Sequence, residues 1–460
     1  MGYNLEDTIA AISTPLGEGG IGIVRISGGD AFSITQKILK LPRNKKVGEI
    51  KNRYLYYGFI LSPETGEEID EVLVSFMKAP HTYTREDVVE INSHGGSVVL
   101  SKILKLVLTL GARLAEPGEF TYRAFINGRI DLAQAEAVLD IIRAKTEKAL
   151  KVAFSQLKGN LSKEVGAIYN KLINWLAYIE ADIDYPEEDI SPFNPQEFLP
   201  EVLKCIEKIK LLLAEADEGK ILREGINTVI LGRPNVGKSS LLNNLLGEPR
   251  AIVTSVPGTT RDRIEEYINL KGIPLRIIDT AGIRTTCDPV ESIGVEKALE
   301  AMQKANLVLY LIDSTQDFHN DDIALLTQIK HARTILVINK IDLSNRRPLI
   351  PKGLRFDGIV ETSQITGEGL DKLEDNIIRL IYQGKVSSSL PLVSNLRHKE
   401  ALIKALKSLD RVIETINKGF SSEFIALDLR ASLEALGEIT GSCVGEEVLE
   451  AIFSNFCVGK

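Results

Sequence analysis

The chain has 460 residues, 44% of them hydrophobic and 26% charged, with a formal net charge of −8 at pH 7. That length exceeds what one hydrophobic core organises and calls for several domains. The acidic balance gives no global drive toward nucleic acid, although a local basic patch can act within an acidic whole.

No stretch approaches ~18 uncharged apolar residues, so no membrane span is expected. Residues 1–7 lack the basic and apolar blocks of a secretory signal. The cysteines, Cys205, Cys287, Cys443 and Cys457, are scattered without metal-ligand spacing. That argues against a disulfide framework or a zinc site and fits a reducing cytoplasm.

Residues 1–120 carry short β-type runs at 21–26, 54–60, 72–77 and 88–91, punctuated by glycine and proline, and a helix is predicted over 97–110. This reads as a mixed α/β domain. Two motif matches inside it are rejected. Gly17-Glu18-Gly19-Gly20-Ile21-Gly22 satisfies G-x-G-x-x-G but leads into a strand-like run, whereas a dinucleotide site needs a helix there. His94-Gly95-Gly96 resembles an oxyanion loop, yet no serine nucleophile elbow accompanies it, so a glycine turn is expected.

The texture changes near Arg129. Leu132, Ala135, Leu139 and Ile142 recur at helical spacing, and Val202, Ile206, Ile209 and Leu213 do so again, giving a helical domain over 121–222. The acidic run 180–189, interrupted by Pro186, reads as a solvated helix end and turn, since no histidine joins it to make a metal site. Over 223–382, buried-strand runs at 228–231, 275–278, 307–312, 334–338 and 359–360 alternate with helix-like segments, the pattern of a mostly parallel, helix-covered sheet. Helical periodicity returns over 383–460 through Leu402, Leu406, Leu409 and Ile413. The simplest architecture is a helical domain interrupted by an inserted α/β domain. Periodicity alone leaves open whether the two helical pieces pack together.

The inserted segment carries a nucleotide signature. Gly232-Arg233-Pro234-Asn235-Val236-Gly237-Lys238-Ser239 matches G-x-x-x-x-G-K-S between a strand and a helix. Backbone N–H groups of such a loop wrap phosphates, Lys238 reaches the β- and γ-phosphates, and Ser239 binds magnesium, with Ser240 following into the helix. Asp279-Thr280-Ala281-Gly282 follows a strand, where a carboxylate holds magnesium-bound water and the glycine N–H meets the γ-phosphate. Asn339-Lys340-Ile341-Asp342 closes another strand. Asp342 can accept from the guanine N1–H and 2-amino group, a donor pair that adenine lacks. Thr362-Ser363-Gln364 lies where backbone would contact guanine O6. The base is therefore expected to be guanine, and 225–380 resembles the Ras-like GTPase superfamily.

Ile283 occupies the position where Ras-type enzymes place a water-orienting glutamine, so another group must take that role. Thr260, in the loop Thr254-Ser255-Val256-Pro257-Gly258-Thr259-Thr260, is suited to magnesium. With Asn235 this loop resembles the potassium-activated GTPases. The resemblance implies that Asn235 and carbonyls near Thr254, Val256 and Thr259 hold potassium. Asn235 as a loop-stabilising residue is the alternative, and Arg261 and Arg284 are further charge donors.

Three segments outside the GTPase point to one family: Gly20-Ile21-Gly22-Ile23-Val24-Arg25-Ile26-Ser27-Gly28; Pro117-Gly118-Glu119-Phe120-Thr121-Tyr122-Arg123-Ala124-Phe125 with Asp131-Leu132-Ala133-Gln134-Ala135-Glu136; and Phe456-Cys457-Val458-Gly459-Lys460. Together with the inserted GTPase, the whole chain resembles the MnmE (TrmE) family of tRNA-modification GTPases.

The resemblance implies a folate-binding, dimerising N-terminal domain, a discontinuous helical domain around the GTPase, and a homodimer. It further implies an FAD-dependent MnmG-type partner, tRNA as the macromolecular substrate, and modification of the wobble uridine at C5 to an aminomethyl or carboxymethylaminomethyl group. The one-carbon donor would be 5-formyltetrahydrofolate or a related tetrahydrofolate. By position, Arg25, Glu90, Arg129 and Lys460 would contact the folate. Arg129 stands where relatives often have lysine, which keeps the charge but changes the geometry. Glu291 would be the catalytic glutamate, the alternative being a solvated helix-opening residue. Cys457 would be a nucleophile or redox group near folate and uridine. A semi-buried packing thiol is the alternative, and a prenylation box does not suit a final lysine without an upstream polybasic cluster. The rival function, an RNA-binding ribosome-assembly or regulatory GTPase switch, calls for a basic RNA-binding domain beside the GTPase. A folate-dependent transferase with an accessory GTPase is a third reading.

Overall fold

The computed structural model describes residues 6–15, 17–42, 51–185, 192–247, 251–252, 266–278, 302–303, 305–329, 331–344, 346–382 and 390–460. The first seven-stranded sheet has the order β3-β4-β5-β6-β2-β1-β7. Its strands are β1 Ile9–Ile12, β2 Gly22–Ser27, β3 Leu39–Lys40, β4 Leu55–Leu61, β5 Glu68–Met77, β6 Val88–Ser93 and β7 Arg113–Leu114. All neighbours pair antiparallel except β1 with β7.

Helices α1 (Ala31–Ile38) and α2 (Ser97–Thr109) supply Ile34, Ile38, Leu100, Ile103 and Val107 to one core with Val24, Ile26, Val74 and Ile91 of the strands. The rejected dinucleotide glycines run into β2, a strand, as its composition demanded. Gly95 is a close approach: a Cβ there would lie 2.4 Å from the Gly19 carbonyl oxygen.

Five helices follow: α3 Glu119–Ile126, α4 Leu132–Arg143, α5 Glu147–Leu157, α6 Asn160–Asp184 and α7 Pro195–Glu224. Helix α4 starts at a capping box, in which Asp131 accepts from the Gln134 N–H and the Gln134 side chain accepts from the Asp131 N–H. Asn194 caps α7, with Pro195 at its first position. The acidic run ends α6 at Asp184, and 186–191 lie outside the described residues.

The second sheet has the order β14-β13-β12-β8-β11-β10-β9. Its strands are β8 Ile226–Leu231, β9 Ala251–Ile252, β10 Glu266–Leu270, β11 Ile273–Ile277, β12 Leu307–Asp313, β13 Arg333–Asn339 and β14 Gly358–Glu361. From β14 to β11 every pairing is parallel, whereas β10 pairs antiparallel with both neighbours. The antiparallel edge escaped the sequence reading because β9 and β10 are short and lack a continuous apolar run. Strand β12 is buried along its whole length, as a central parallel strand with both faces covered should be. Helices α8 (Lys238–Leu246), α9 (Asn320–Leu326) and α10 (Leu370–Tyr382) accompany this sheet.

The chain then returns to helices α11 Leu396–Lys418, α12 Ser422–Thr440 and α13 Glu446–Phe453. The two helical pieces share one core. Leu161, Ile168, Leu172, Phe198, Val202 and Ile209 from before the insertion interlock with Leu402, Leu409, Val412, Leu429 and Leu436 from after it. Helix α11 packs on α12 and α7, and α12 packs on α6. Among the described residues no helix is long and apolar enough to cross a membrane.

Candidate functional site

The described parts of the nucleotide signature, at 232–240, 339–342 and 362–364, lie at the C-terminal edge of the parallel strands, where open α/β sheets bind ligands. The loop between β8 and α8 turns on Gly232 and Gly237, with φ of 143° and 101°. A Cβ at Gly237 would sit 2.3 Å from Asn339 Nδ2, so only glycine lets the loop close on the base-recognition strand. Asn339 Nδ2 donates to the Val236 carbonyl at 2.7 Å and thereby bolts the two motifs together. Lys238 donates to the carbonyls of Gly232 and Arg233 at 2.7 and 2.8 Å, and burial holds its pKa below the ordinary lysine value. Gly237, in the left-handed region, is the N-cap of α8 and no side chain caps it, the arrangement by which helix N–H groups meet phosphate. Lys238, Ser239 and Ser240 form the first turn of that helix. Asn235, exposed at the loop, has a left-handed φ of 63°, which asparagine tolerates.

On the base side, Ser363 Oγ donates to Asp342 Oδ1 at 2.6 Å and fixes that carboxylate. Thr362 Oγ1 donates to Asn339 Oδ1 at 3.3 Å, and Asn244 of α8 donates to Gln364 through its carbonyl and side-chain oxygens. The stem of Lys340 is pinned by Asp313, 2.8 Å from its ammonium, while Ser314 donates to the Lys340 carbonyl. Asp313, Ser314 and Asn244 were missed in sequence because they belong to no contiguous motif. Only Asp313, an acid ending a buried strand, left a signal. Thr254, Ser255, Val256, Pro257, Gly258, Thr259, Thr260, Arg261, Asp279, Thr280, Ala281, Gly282, Ile283, Arg284 and Glu291 lie outside the described residues.

A second cluster forms on the first sheet. Arg25 and Glu90 face each other across β2 and β6, and the guanidinium donates to Glu90 Oε1 at 2.9 Å through Nε, with Nη2 at 2.8 Å. Arg25 Nη1 donates to the Gly459 carbonyl at 3.2 Å, which brings residues 457–460 onto the sheet. Val458 bridges Pro117, the Gly118 N–H donates to the Cys457 carbonyl at 3.4 Å, and a Cβ on Gly459 would lie 2.5 Å from the Ile12 oxygen. Burial lowers the Lys460 pKa and the nearby Arg25 lowers it further, against the pull of Glu90. Cys457 is a free, exposed thiol. Arg129 reaches the same place, its guanidinium 4.7 Å from the Tyr83 ring centroid. Four residues drawn from four separate segments thus converge.

Two family models match the chain. The family model described as "GTP-binding protein TrmE N-terminus" matches residues 8–129, and that described as "MnmE helical domain" matches residues 132–457. A protein of Alkaliphilus oremlandii named "tRNA modification GTPase MnmE" is 50% identical over 460 residues, covering 99% of this chain and 100% of that one. Its namesake in Thermoanaerobacter pseudethanolicus is 51% identical over 459 residues, covering 99% of both chains.

The chain belongs to the MnmE family of tRNA modification GTPases.

For an MnmE chain, the fold supplies a reason for the interrupted helical domain. Residues 392–395, which lead out of the insertion, are gripped by the helices that precede it. Gln156 Nε2 donates to the Leu392 carbonyl at 2.7 Å and to Ser394 Oγ at 3.0 Å. Glu136 accepts from Asn395, Arg397 and His398. On the incoming side, Arg223 near the end of α7 pairs with Asp140 at 2.8 Å. Both roots of the GTPase are therefore tied to helix α4.

Proposed function

We propose that this MnmE chain is a potassium-stimulated GTP hydrolase that works with an FAD-dependent MnmG-type subunit on C5 of the wobble uridine of certain tRNAs, in the cytoplasm and as a homodimer. The observation that carries the reading is the convergence of Arg25, Glu90, Arg129 and Lys460 beside Cys457, in a chain whose GTPase is rooted in the adjoining helical domain.

At the GTPase, Asn235 to Ser240 cradle the phosphates, and Lys238 exchanges its two carbonyl partners for β- and γ-phosphate oxygens. Ser239 and Thr260 would hold magnesium, which would supply positive charge against the phosphates. The acidic Asp279 and the N–H groups of 280–282 complete that side. Asn235 and the carbonyls of Thr254, Val256 and Thr259 would hold potassium, which would supply the positive charge that an arginine finger brings in other GTPases. Glu291 orients the water that Ile283 cannot. Asn339, Lys340, Asp342 and 362–364 read guanine.

At the second cluster the donor set suits a reduced folate: two guanidiniums and an ammonium for its carboxylates, Glu90 for its ring N–H groups, and an aromatic face for its planar parts. The bound folate, 5-formyltetrahydrofolate or a relative, supplies the one-carbon unit. Arg25 and Glu90 orient it through fixed hydrogen bonds, and Lys460, its ammonium already destabilised by burial, gains an anionic partner. Cys457 is the nucleophile or redox group at the edge of this site.

The modified-nucleoside profile of tRNA from cells lacking the protein tests the function. C5-modified wobble uridines should disappear and return with the intact gene, and an unchanged profile overturns the reading. With the isolated protein, GTP hydrolysis should run at least about tenfold faster in potassium chloride than in sodium chloride. Equal rates would remove the cation from the mechanism.

A further inference from the structure

Tyr83 lies under both guanidiniums of the second cluster. The Arg129 guanidinium carbon is 4.7 Å from the Tyr83 ring centroid and that of Arg25 is 5.9 Å away, within the range where a cation is drawn to an aromatic face. The Tyr83 carbonyl also accepts from Arg129 Nη1 at 3.3 Å, so one residue holds Arg129 twice. Among the described residues, the ring and carbonyl of Tyr83 are the partners of the Arg129 guanidinium. Arg25, in contrast, already has Glu90.

The ring is itself held firmly. Its hydroxyl shares a 2.9 Å hydrogen bond with Thr121 Oγ1. The residue packs against two apolar groups, one built on Ile9, Ala11 and Phe120, the other on Leu132, Phe453 and Phe456. Tyr83 thus stands where the first sheet, helix α4 and the last residues of the chain meet. An exposed arginine on its own samples many rotamers, and ordering it on binding costs affinity; stacking on a fixed ring removes much of that cost beforehand.

We propose that Tyr83 is a positioning residue that presets the guanidinium of Arg129 for the anionic ligand of this site, acting through its ring face and not through its hydroxyl. The inference rests on the folate reading for the identity of that ligand.

The test uses the full chain with 5-formyltetrahydrofolate as the probe, titrated calorimetrically, together with the ¹H–¹⁵N resonance of the Arg129 Nε–H, assigned with an Arg129→Lys variant. Tyr83→Phe keeps the face and should bind within about twofold of the parent, whereas Tyr83→Leu should bind about five- to tenfold more weakly. The Arg129 resonance, shifted by the ring current in the parent and in Tyr83→Phe, should return to its free-arginine position in Tyr83→Leu. Pentafluorophenylalanine at position 83 keeps the packing shape but abolishes the negative face, so it should weaken binding as leucine does even where leucine impairs folding. GTP hydrolysis should stay unchanged throughout.

Unchanged binding in the leucine and pentafluoro variants, or a loss in Tyr83→Phe as large as in Tyr83→Leu, overturns the proposal. So does an Arg129 resonance that ignores the substitution. A parent chain that leaves the folate unbound overturns the folate reading, and the resonance then decides by itself whether Tyr83 holds Arg129.

Discussion

Two carboxylates show how the same chemical group takes different work from its surroundings. Asp342 is exposed and kept in one orientation by Ser363, and in the proposed function its carboxylate meets the paired N–H donors of guanine. Asp342→Asn replaces one acceptor with a donor. It should weaken GTP binding by about 100-fold or more, and should favour xanthosine triphosphate, whose 2-carbonyl accepts from the new amide; nucleotide titrations would read both changes. Glu136 is buried, which by itself would raise its pKa, yet His398 and Arg397 outweigh burial and hold it down to about 2, from an ordinary 4.5. A carboxylate depressed in the folded state contributes its stability fully above its unfolded pKa. That stability, on the order of 3 kcal/mol, should drain away as pH falls from about 4.5 to about 2. Glu136→Gln should remove it at neutral pH, by a similar or larger amount because His398 stays buried and Arg397 half-buried without their carboxylate, and should flatten this part of the acid-denaturation curve.

Helices α4 and α7 carry the inserted GTPase between them. Glu136 and Asp140 lie one turn apart on α4. The first binds the start of α11 and the second binds Arg223 near the end of α7. Burial raises the Asp140 pKa and Glu136 raises it further, while Arg223 and His398 lower it, so the acidic pair depends on its cationic partners. Gly219 lets the two roots cross, since a Cβ there would lie 2.0 Å from the Val393 oxygen. Helix propensity alone predicts that Gly219→Ala stabilises by about 1 kcal/mol. The backbone clash points the other way and is larger, about 1–3 kcal/mol, so the variant should melt several degrees below the parent in a thermal scan. An unchanged or raised melting temperature would show that the roots separate freely. The N-terminal end of α4 follows directly on Arg129, and its Leu132, Ala135 and Leu139 pack on Phe453 and Phe456 just before Cys457. One helix therefore touches the GTPase roots and the second cluster.

Over the whole molecule, the proposed function puts hydrolysis and uridine chemistry in different domains, so changes confined to one should spare the other. Cys457, an exposed thiol outside the nucleotide motifs, makes the sharpest case. Cys457→Ser should abolish tRNA modification in the reconstituted complex while GTP affinity and hydrolysis stay within about twofold of the parent, as separate sites normally add independently. Full modification activity in that variant would return Cys457 to a packing role. Loss of GTP binding as well would instead mean that residues 457–460 matter chiefly for the integrity of the fold.

The nucleotide half of the function was legible in the sequence because phosphate and guanine are bound by contiguous segments: a glycine-rich loop and strand-end tetrapeptides carry their chemistry in fixed spacing. Strand and helix periodicity likewise marked the insertion, because an apolar face repeats every second or every third to fourth residue whatever the tertiary context. The second site had no such signature. Arg25, Glu90, Arg129 and Lys460 were named through family resemblance, and local spacing gave no reason to join them. Only the tertiary structure brought residues 457–460 to β2 and put Tyr83 beneath two guanidiniums. It also decided that the helical pieces on either side of the GTPase share one core. Pairings between residues hundreds of positions apart are set by which apolar faces remain to be covered once the local elements have formed, and that is a property of the packed chain as a whole.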